Sequence, residues 1–484
     1  MNDVRKSFLL SFADSYLAIV LQLASTVIIA RLLTPAEVGI FAIAAVFSSL
    51  ASTFRDFGVA EYLIQSREID DDKIRAGFGV NIIVSWSLAV LLVAVSPLAA
   101  SFYRDDGVGR VLRVLALSFI ALPFGAMLMT WFRRELNYRP IVIVNAISSS
   151  TVFAVSVGLA WLGHGYMSLA WGTLAGILAT VASVNLFRPP GFPRWPRFTG
   201  LGEVFDFGKY ATGMYILLQL GRGAPELIIG RARNAADVGI FSRGNGLVEI
   251  FRRLLLRPVM QVCLPFFARA QREQGTIEPS YASSVALLTA VGWPFLAFLA
   301  LASYAMVRLV YGTQWLAAVP LARVLCLACA IELLFFLSRE ALLACGAVRR
   351  ASVLQLQVVV QQIAGLALAI PYGLEGACWG LAIAAVGGLL VTQWHLKRAF
   401  GLHVRTLWRA CLPSVTLTLW TVAPPALFAL WRPPQESNFV AWAVLGSLAA
   451  AALWLAGLRV LRHALWAEVR HAADQIYRRI ARRA

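Results

Sequence analysis

Ala36-Glu-Val-Gly-Ile-Phe41 returns 200 residues later as Ala236-Asp-Val-Gly-Ile-Phe241. A second, weaker echo comes further along: Gly165-Tyr-Met-Ser-Leu-Ala-Trp-Gly172 comes back as Gly373-Leu-Glu-Gly-Ala-Cys-Trp-Gly380, an offset of 208. Two echoes at nearly one offset mark an internal repeat. The surrounding sequence says what is repeated. Of the 484 residues, 59% are hydrophobic and 14% charged, with a mean hydropathy of +0.72. Soluble domains carry roughly 45–50% apolar and about 25% charged residues, so a soluble enzyme, a disordered chain and a fibrous protein fit poorly. The apolar runs are long and do not alternate, so they read as membrane-crossing helices rather than barrel strands.

Fourteen spans are expected, near 8–30, 38–62, 77–102, 111–132, 141–162, 167–187, 207–229, 238–258, 281–303, 317–340, 351–371, 376–396, 410–430 and 439–458. The first echo opens spans two and eight, and the second opens spans six and twelve. Each repeat is therefore six helices. Six is even, so both halves enter the membrane in the same direction and are related by an axis along the membrane normal. This predicts an all-α polytopic membrane protein of two six-helix lobes: an N-lobe over 1–187, a helix-breaking Pro-rich linker over 188–206, and a C-lobe over 207–396. Two further spans occupy 410–458. A basic amphipathic tail, 459–484, carries an apolar stripe from Leu461 to Ile480 and suits anionic lipid, or else a partner's groove.

Orientation follows from the basic residues, which gather on the cytoplasmic side. With both termini inside, 31 of the 43 Lys and Arg fall on inner segments, 8 on outer ones and four within spans. The run after Arg5 and Lys6 contains Asp14 and lacks a clear cleavage site, so it reads as an uncleaved first span. The net charge of +18 belongs to this topology. No zinc finger, basic zipper or base-stacking motif accompanies it, so no nucleic-acid partner is expected. Cys326-Leu-Ala-Cys329 has the form of a redox or metal pair but lies mid-helix without a second pair or a nearby His. It and the other four cysteines read as inert thiols, and no metal or other cofactor is expected.

Ala30-Arg-Leu-Leu-Thr-Pro-Ala-Glu-Val-Gly-Ile-Phe41, Arg55-Asp-Phe-Gly-Val59, Arg134-Glu-Leu-Asn-Tyr138 and Asp206-Phe-Gly-Lys-Tyr210 carry a further likeness. Over about residues 1–400 the chain resembles the Wzx-type oligosaccharidyl-lipid flippases, polysaccharide transporters of the MATE-like MOP superfamily. The resemblance implies two lobes around a central cavity in the cell inner membrane. It implies a polyprenyl-pyrophosphate-linked oligosaccharide as substrate, moved for lipopolysaccharide, capsule or exopolysaccharide synthesis. Membrane lipids, a polysaccharide polymerase and chain-length proteins are the partners it implies.

A pyrophosphate needs cations, and the planar fork of Arg suits phosphate oxygens. Charges within a bilayer normally face a cavity or a partner. Arg222, Arg243 and Arg323, in spans seven, eight and ten, and Arg55, near the inner end of span two, are therefore the expected substrate contacts. The plain alternative pairs Arg222 with Glu226 and Arg243 with Glu249. Arg31 and Arg231 are repeat-related and sit at an outer interface, where snorkelling is expected. Among the acids, Asp14 and Glu332 lack a basic residue one turn away, so they are the expected ion-coupling groups. Gly221, Gly223 and Pro225 flank Arg222 and predict either a kink or a close helix contact. No Ser/His/Asp, metal-ligand or phosphate-loop constellation appears, so an enzyme is not expected. The competing functions are a multidrug or cation exporter of the same superfamily, and a membrane polymerase or glycosyltransferase acting on lipid-linked sugars.

Overall fold

The helix starts are written into the echoed stretch itself. Thr34 and Glu37 cap each other: the Glu37 carboxylate accepts from the Thr34 N–H and hydroxyl at 2.8 Å, and the Glu37 N–H donates to Thr34 Oγ1 at 3.4 Å. Pro35, which has no N–H to lose, opens the helix. Two hundred residues on, Asn234 Oδ1 accepts the Asp237 N–H at 2.8 Å, and Asp237 pairs with Arg233. Both echoes are thus N-terminal caps, with different residue types meeting the same need.

The computed structural model describes residues 20–55, 71–193, 195–198, 202–466 and 470. Among them there are helices and turns but no strand. In chain order the helices are α1 (Val20–Leu32), α2 (Pro35–Arg55), α3 (Asp71–Tyr103), α4 (Asp106–Ala121), α5 (Pro123–Arg134), α6 (Tyr138–Trp161), α7 (Met167–Leu186) and α8 (Gly202–Ala232). There follow α9 (Ala235–Phe251), a π turn (Arg252–Leu256), α10 (Arg257–Gln274), α11 (Glu278–Leu301), α12 (Ser303–Val310), α13 (Ala318–Glu332) and α14 (Ser338–Ala344). The last are α15 (Val348–Ala369), α16 (Gly373–Phe400), α17 (Val404–Trp431) and α18 (Phe439–Val460). Asp14 and most of the basic tail lie outside the described residues, as does Asp56–Val59.

Eight helical stretches among the described residues are long and apolar enough to cross a membrane, or nine if α4 and α5, bent by 55°, count as one. One stretch, Val348–Phe400, is two passes, because α15 and α16 pack against each other. The helices at the expected spans seven, eight and ten are shorter or more polar than these. They are the helices that carry Arg222, Arg243, Arg323 and Glu332. Span ten is not the continuous helix expected over 317–340: α13 stops at Glu332 and α14 restarts at Ser338. Span eight passes through the π turn and on to Gln274.

Exposure fits a lipid solvent. Val90, Leu98, Leu368, Leu390 and Leu445 stand outward on α3, α15, α16 and α18. Trp161, Tyr372 and Trp431 are 81%, 85% and 80% exposed. Each sits at the end of an odd-numbered expected span, where aromatic residues mark a membrane interface.

By packing, the chain forms two units, Met1–Ser242 and Arg243–Ala484. The division falls inside α9 and not in the 188–206 linker. The reason is local: α8 lies on α2 within the first unit. Gln219 Nε2 donates to Ser49 Oγ at 2.9 Å, and a Cβ on Gly223 would collide with Val46. α8 runs unbroken through Pro225, so the small residues around Arg222 serve close contact. In the same unit the two echoes cross reciprocally. A Cβ on Gly39 would collide with the Ala235 carbonyl, and one on Gly239 with the Pro35 carbonyl. The second echo also has a matching place in each unit. Gly172 of α7 packs on Ser156 of α6, and Gly380 of α16 packs on Gly365 of α15, so each closes a helical hairpin. The linker is held to the start of α3: Arg197 pairs with Asp72, and its N–H donates to the Arg75 carbonyl at 2.9 Å.

Candidate functional site

A broken helix in a membrane must satisfy the carbonyls it frees. At the end of α13 it does so with side chains. Trp293 Nε1 of α11 donates to the Ala330 carbonyl at 2.9 Å, and Tyr281 Oη of the same helix donates to the Leu334 carbonyl at 3.3 Å. The break is therefore built and supported. It carries Glu332, whose Oε2 accepts from Arg252 Nη2 at 2.6 Å. Arg252 begins the π turn after α9. Two backbone irregularities are thus joined by one ion pair, in helices 80 residues apart in sequence. π turns and discontinuous helices gather at functional sites because they free backbone groups and re-aim side chains. The two side chains are 33% and 24% exposed, so the pair is neither fully buried nor free in solvent. Glu249 pairs with Arg253 at 3.5 Å on the neighbouring face.

Arg243 lies two and a half turns earlier on the same helix. Its guanidinium sits 5.5 Å from the Tyr311 ring centre and 5.2 Å from that of Trp315, both rings fully buried. Its Nε is buried without a hydrogen-bond partner. The alternative pairing with Glu249 is not found; the aromatic rings hold the charge by cation–π contact. Arg323 of α13 is exposed and donates from Nε to Ser303 Oγ at 3.1 Å. Ser303 opens α12 and Tyr311 closes it, so Arg323 and Arg243 engage opposite ends of that short helix. In the first unit, Arg222 is exposed on α8 and Arg55 is half-buried at the end of α2.

Arg243, Arg323 and Glu332 belong to the second unit and Arg55 and Arg222 to the first. Glu332, which has no basic residue one turn away on its own helix, takes its partner, Arg252, from another segment. Sequence reasoning missed Arg252, which is one of the 31 basic residues assigned to inner segments. Its spacing of nine from Arg243 matches that of Glu332 from Arg323, and this pattern was readable but uninterpretable without knowing that the helix continues. The six cysteines are unbridged. Among the described residues no group of three His, Cys, Asp or Glu could hold a metal ion.

Comparison with known proteins agrees with this architecture. A family profile described as "Polysaccharide biosynthesis protein" matches residues 28–320. The chain is 26% identical over 378 residues to the teichuronic acid biosynthesis protein TuaB of Bacillus subtilis (strain 168), covering 75% of this chain and 76% of that one. It is 26% identical over 318 residues to the succinoglycan biosynthesis transport protein ExoT of Rhizobium meliloti (strain 1021), covering 63% and 62%. Its fold matches an inward closed structure of the lipid II flippase MurJ with a TM-score of 0.75 at 13% identity, covering 95% of this chain and 99% of that one.

Proposed function

The chain belongs to the polysaccharide biosynthesis protein family, and from that membership we propose that it is a flippase for a polyprenyl-pyrophosphate-linked oligosaccharide. It turns the lipid-linked sugar across the inner membrane by alternating access and leaves it chemically unchanged. The relatives support polymer assembly and transport as the setting, and the shared fold supports the architecture. Polymerase and chain-length proteins then act on the delivered unit.

The need for a protein is energetic. An unpaired hydroxyl costs roughly 4–8 kcal/mol to move from water into alkane, and a phosphate far more. A polar path with fixed cations removes that cost while the lipid tail stays in the bilayer. Arg55, Arg222, Arg243 and Arg323 are the cations proposed for the pyrophosphate. The ring-clamped guanidinium of Arg243 is already oriented, so little ordering entropy is lost on binding.

The observation that carries the mechanism is the Arg252–Glu332 pair at two helix irregularities. A pyrophosphate reaching Arg252 competes with Glu332 for the same N–H donors. The displaced carboxylate is then left in a poorly solvated place, where it takes a proton or sodium ion. Release of the anion restores the pair and expels the ion. Substrate and ion thus occupy the two halves of the pair together, which couples them. Asp14 is the second proposed coupling acid. Outward movement of an anion also gains about 2.3 kcal/mol per charge per 100 mV when the cytoplasm is negative.

The test is a proteoliposome assay with a fluorescent polyprenyl-pyrophosphate oligosaccharide, read by an impermeant quencher and followed by mass analysis. Movement of an unaltered substrate is expected. A lengthened or transferred sugar would establish an enzyme, and no movement would remove the flippase.

A further inference from the structure

The first unit holds a cavity that the mechanism above does not use. The ends of α3 and α8 and the starts of α4 and α9 border an open cavity of about 670 Å³, lined chiefly by Tyr103, Arg104, Asp105, Arg231, Arg233 and Asn234. Small-ligand sites run about 300–1,000 Å³. Two helices end there and two begin, so their dipoles offset and the field comes from side chains.

Those side chains leave an excess of positive charge. Arg233 is neutralised by Asp237. Asn234 is used as the cap of α9, and Asp105 Oδ1 is held by the Gly107 N–H at 2.7 Å as the cap of α4. Arg231 is not paired with a carboxylate among the described residues. Its guanidinium lies 4.9 Å from the Phe102 ring centre, and Phe102 meets Tyr103 edge to face at 5.0 Å. The Arg104 side chain makes no hydrogen bond, ion pair or ring contact among the described residues. Its backbone has a φ of 56°, a left-handed conformation that a non-glycine residue adopts at a cost of about 1–2 kcal/mol. The chain accepts that cost where it turns Arg104 toward the cavity. Two forked cations, one stacked and one on a fixed turn, face a space that contains no matching anion of its own beyond Asp105.

Position adds to the case. The start of α3 is tied to the 188–198 linker, and the cavity lies at the other end of that 33-residue helix, about 50 Å away. Ala235, which lines the cavity, is the residue whose carbonyl packs on Gly39 in the reciprocal crossing of α2 and α9.

We propose that this cavity is a phosphate-binding site at the end of the spans away from the linker, with Arg104 and Arg231 as its ligands. Its occupant is a pyrophosphate or phosphodiester head group. On the flippase function proposed above, it takes the head group of the lipid-linked saccharide after passage and before release.

The full-length protein in phosphatidylcholine nanodiscs is titrated with inorganic pyrophosphate by calorimetry. Saturable binding is expected. Arg104→Gln and Arg231→Gln each weaken it about tenfold, the loss of one charge-assisted contact. Nanodiscs containing phosphatidylglycerol separate the sources: competition identifies a phospholipid head group as an occupant, and its absence points to the saccharide's pyrophosphate. No saturable binding, or unchanged binding in the double variant, overturns the site. If the double variant is not monodisperse, Arg104→Gln alone decides. Pyrophosphate binding without lipid movement would leave this site standing and remove the flippase; movement without binding would remove this site alone.

Discussion

A charge inside a membrane protein is informative by what it touches. Arg252 and Glu332 touch each other, and removing either strands its partner in a poorly solvated place. Breaking a buried pair costs about 3–5 kcal/mol, and partial exposure here lowers the expectation to about 1–3 kcal/mol. Arg252→Gln and Glu332→Gln should each lower the melting temperature, and the double variant should be no less stable than the worse single one. The double-mutant cycle in detergent measures the coupling. Arg243 makes a different prediction, since its contacts are aromatic rings. Arg243→Lys should retain part of the cation–π energy, and Arg243→Gln should lose about 1–2 kcal/mol of stability and the substrate contact. Polymer export in cells carrying either variant, normalised to protein level, separates stability from transport. Full export by the Gln forms of both Arg222 and Arg243 would remove these arginines from the substrate path.

At the scale of helices, the crossing of α2 and α9 has no space for a side chain. Gly39→Ala and Gly239→Ala each force a Cβ against a carbonyl oxygen at the start of the opposite helix. Overpacking of this kind costs about 1–3 kcal/mol, and since the two contacts are reciprocal, the two variants should behave alike. Thermal denaturation of both, beside Gly158→Ala as a control for a helical glycine with open space around it, gives the comparison. The end of α18 makes a pH prediction. His463 is buried, its Nδ1 accepts the Leu465 N–H at 3.2 Å, and burial lowers its pKa below the ordinary value of about 6.5. The folded state thus disfavours the protonated ring. Its contribution is present above about pH 6.5 and is lost as pH falls below that toward the folded value. Hydrogen exchange at Leu465 should accelerate over that interval, and His463→Gln should abolish the pH dependence.

For the whole molecule, coupling through Glu332 predicts a gradient dependence. Collapse of the coupling ion's gradient should slow movement of the lipid-linked sugar by the unaltered protein, and Glu332→Gln should be insensitive to that collapse. Equal sensitivity of both proteins in proteoliposomes would move coupling elsewhere. Much at this scale was legible in the sequence. Apolarity and the basic-residue bias mark a polytopic membrane protein because the bilayer acts on each segment through composition alone. The echo at Ala36 and Ala236 marks two equivalent helix starts because a cap is a local device of four residues. The acid at 332 and the arginine at 243 could be named from sequence, since a charge in an apolar run is conspicuous. Their circumstances could not. The Arg252–Glu332 pair, the rings that clamp Arg243, the packing of α8 on α2 and the cavity at Arg104 and Arg231 each join residues far apart in the chain. Composition and periodicity describe neighbours along the backbone, whereas these contacts depend on where a helix breaks, bends or crosses another, and only the folded chain decides that.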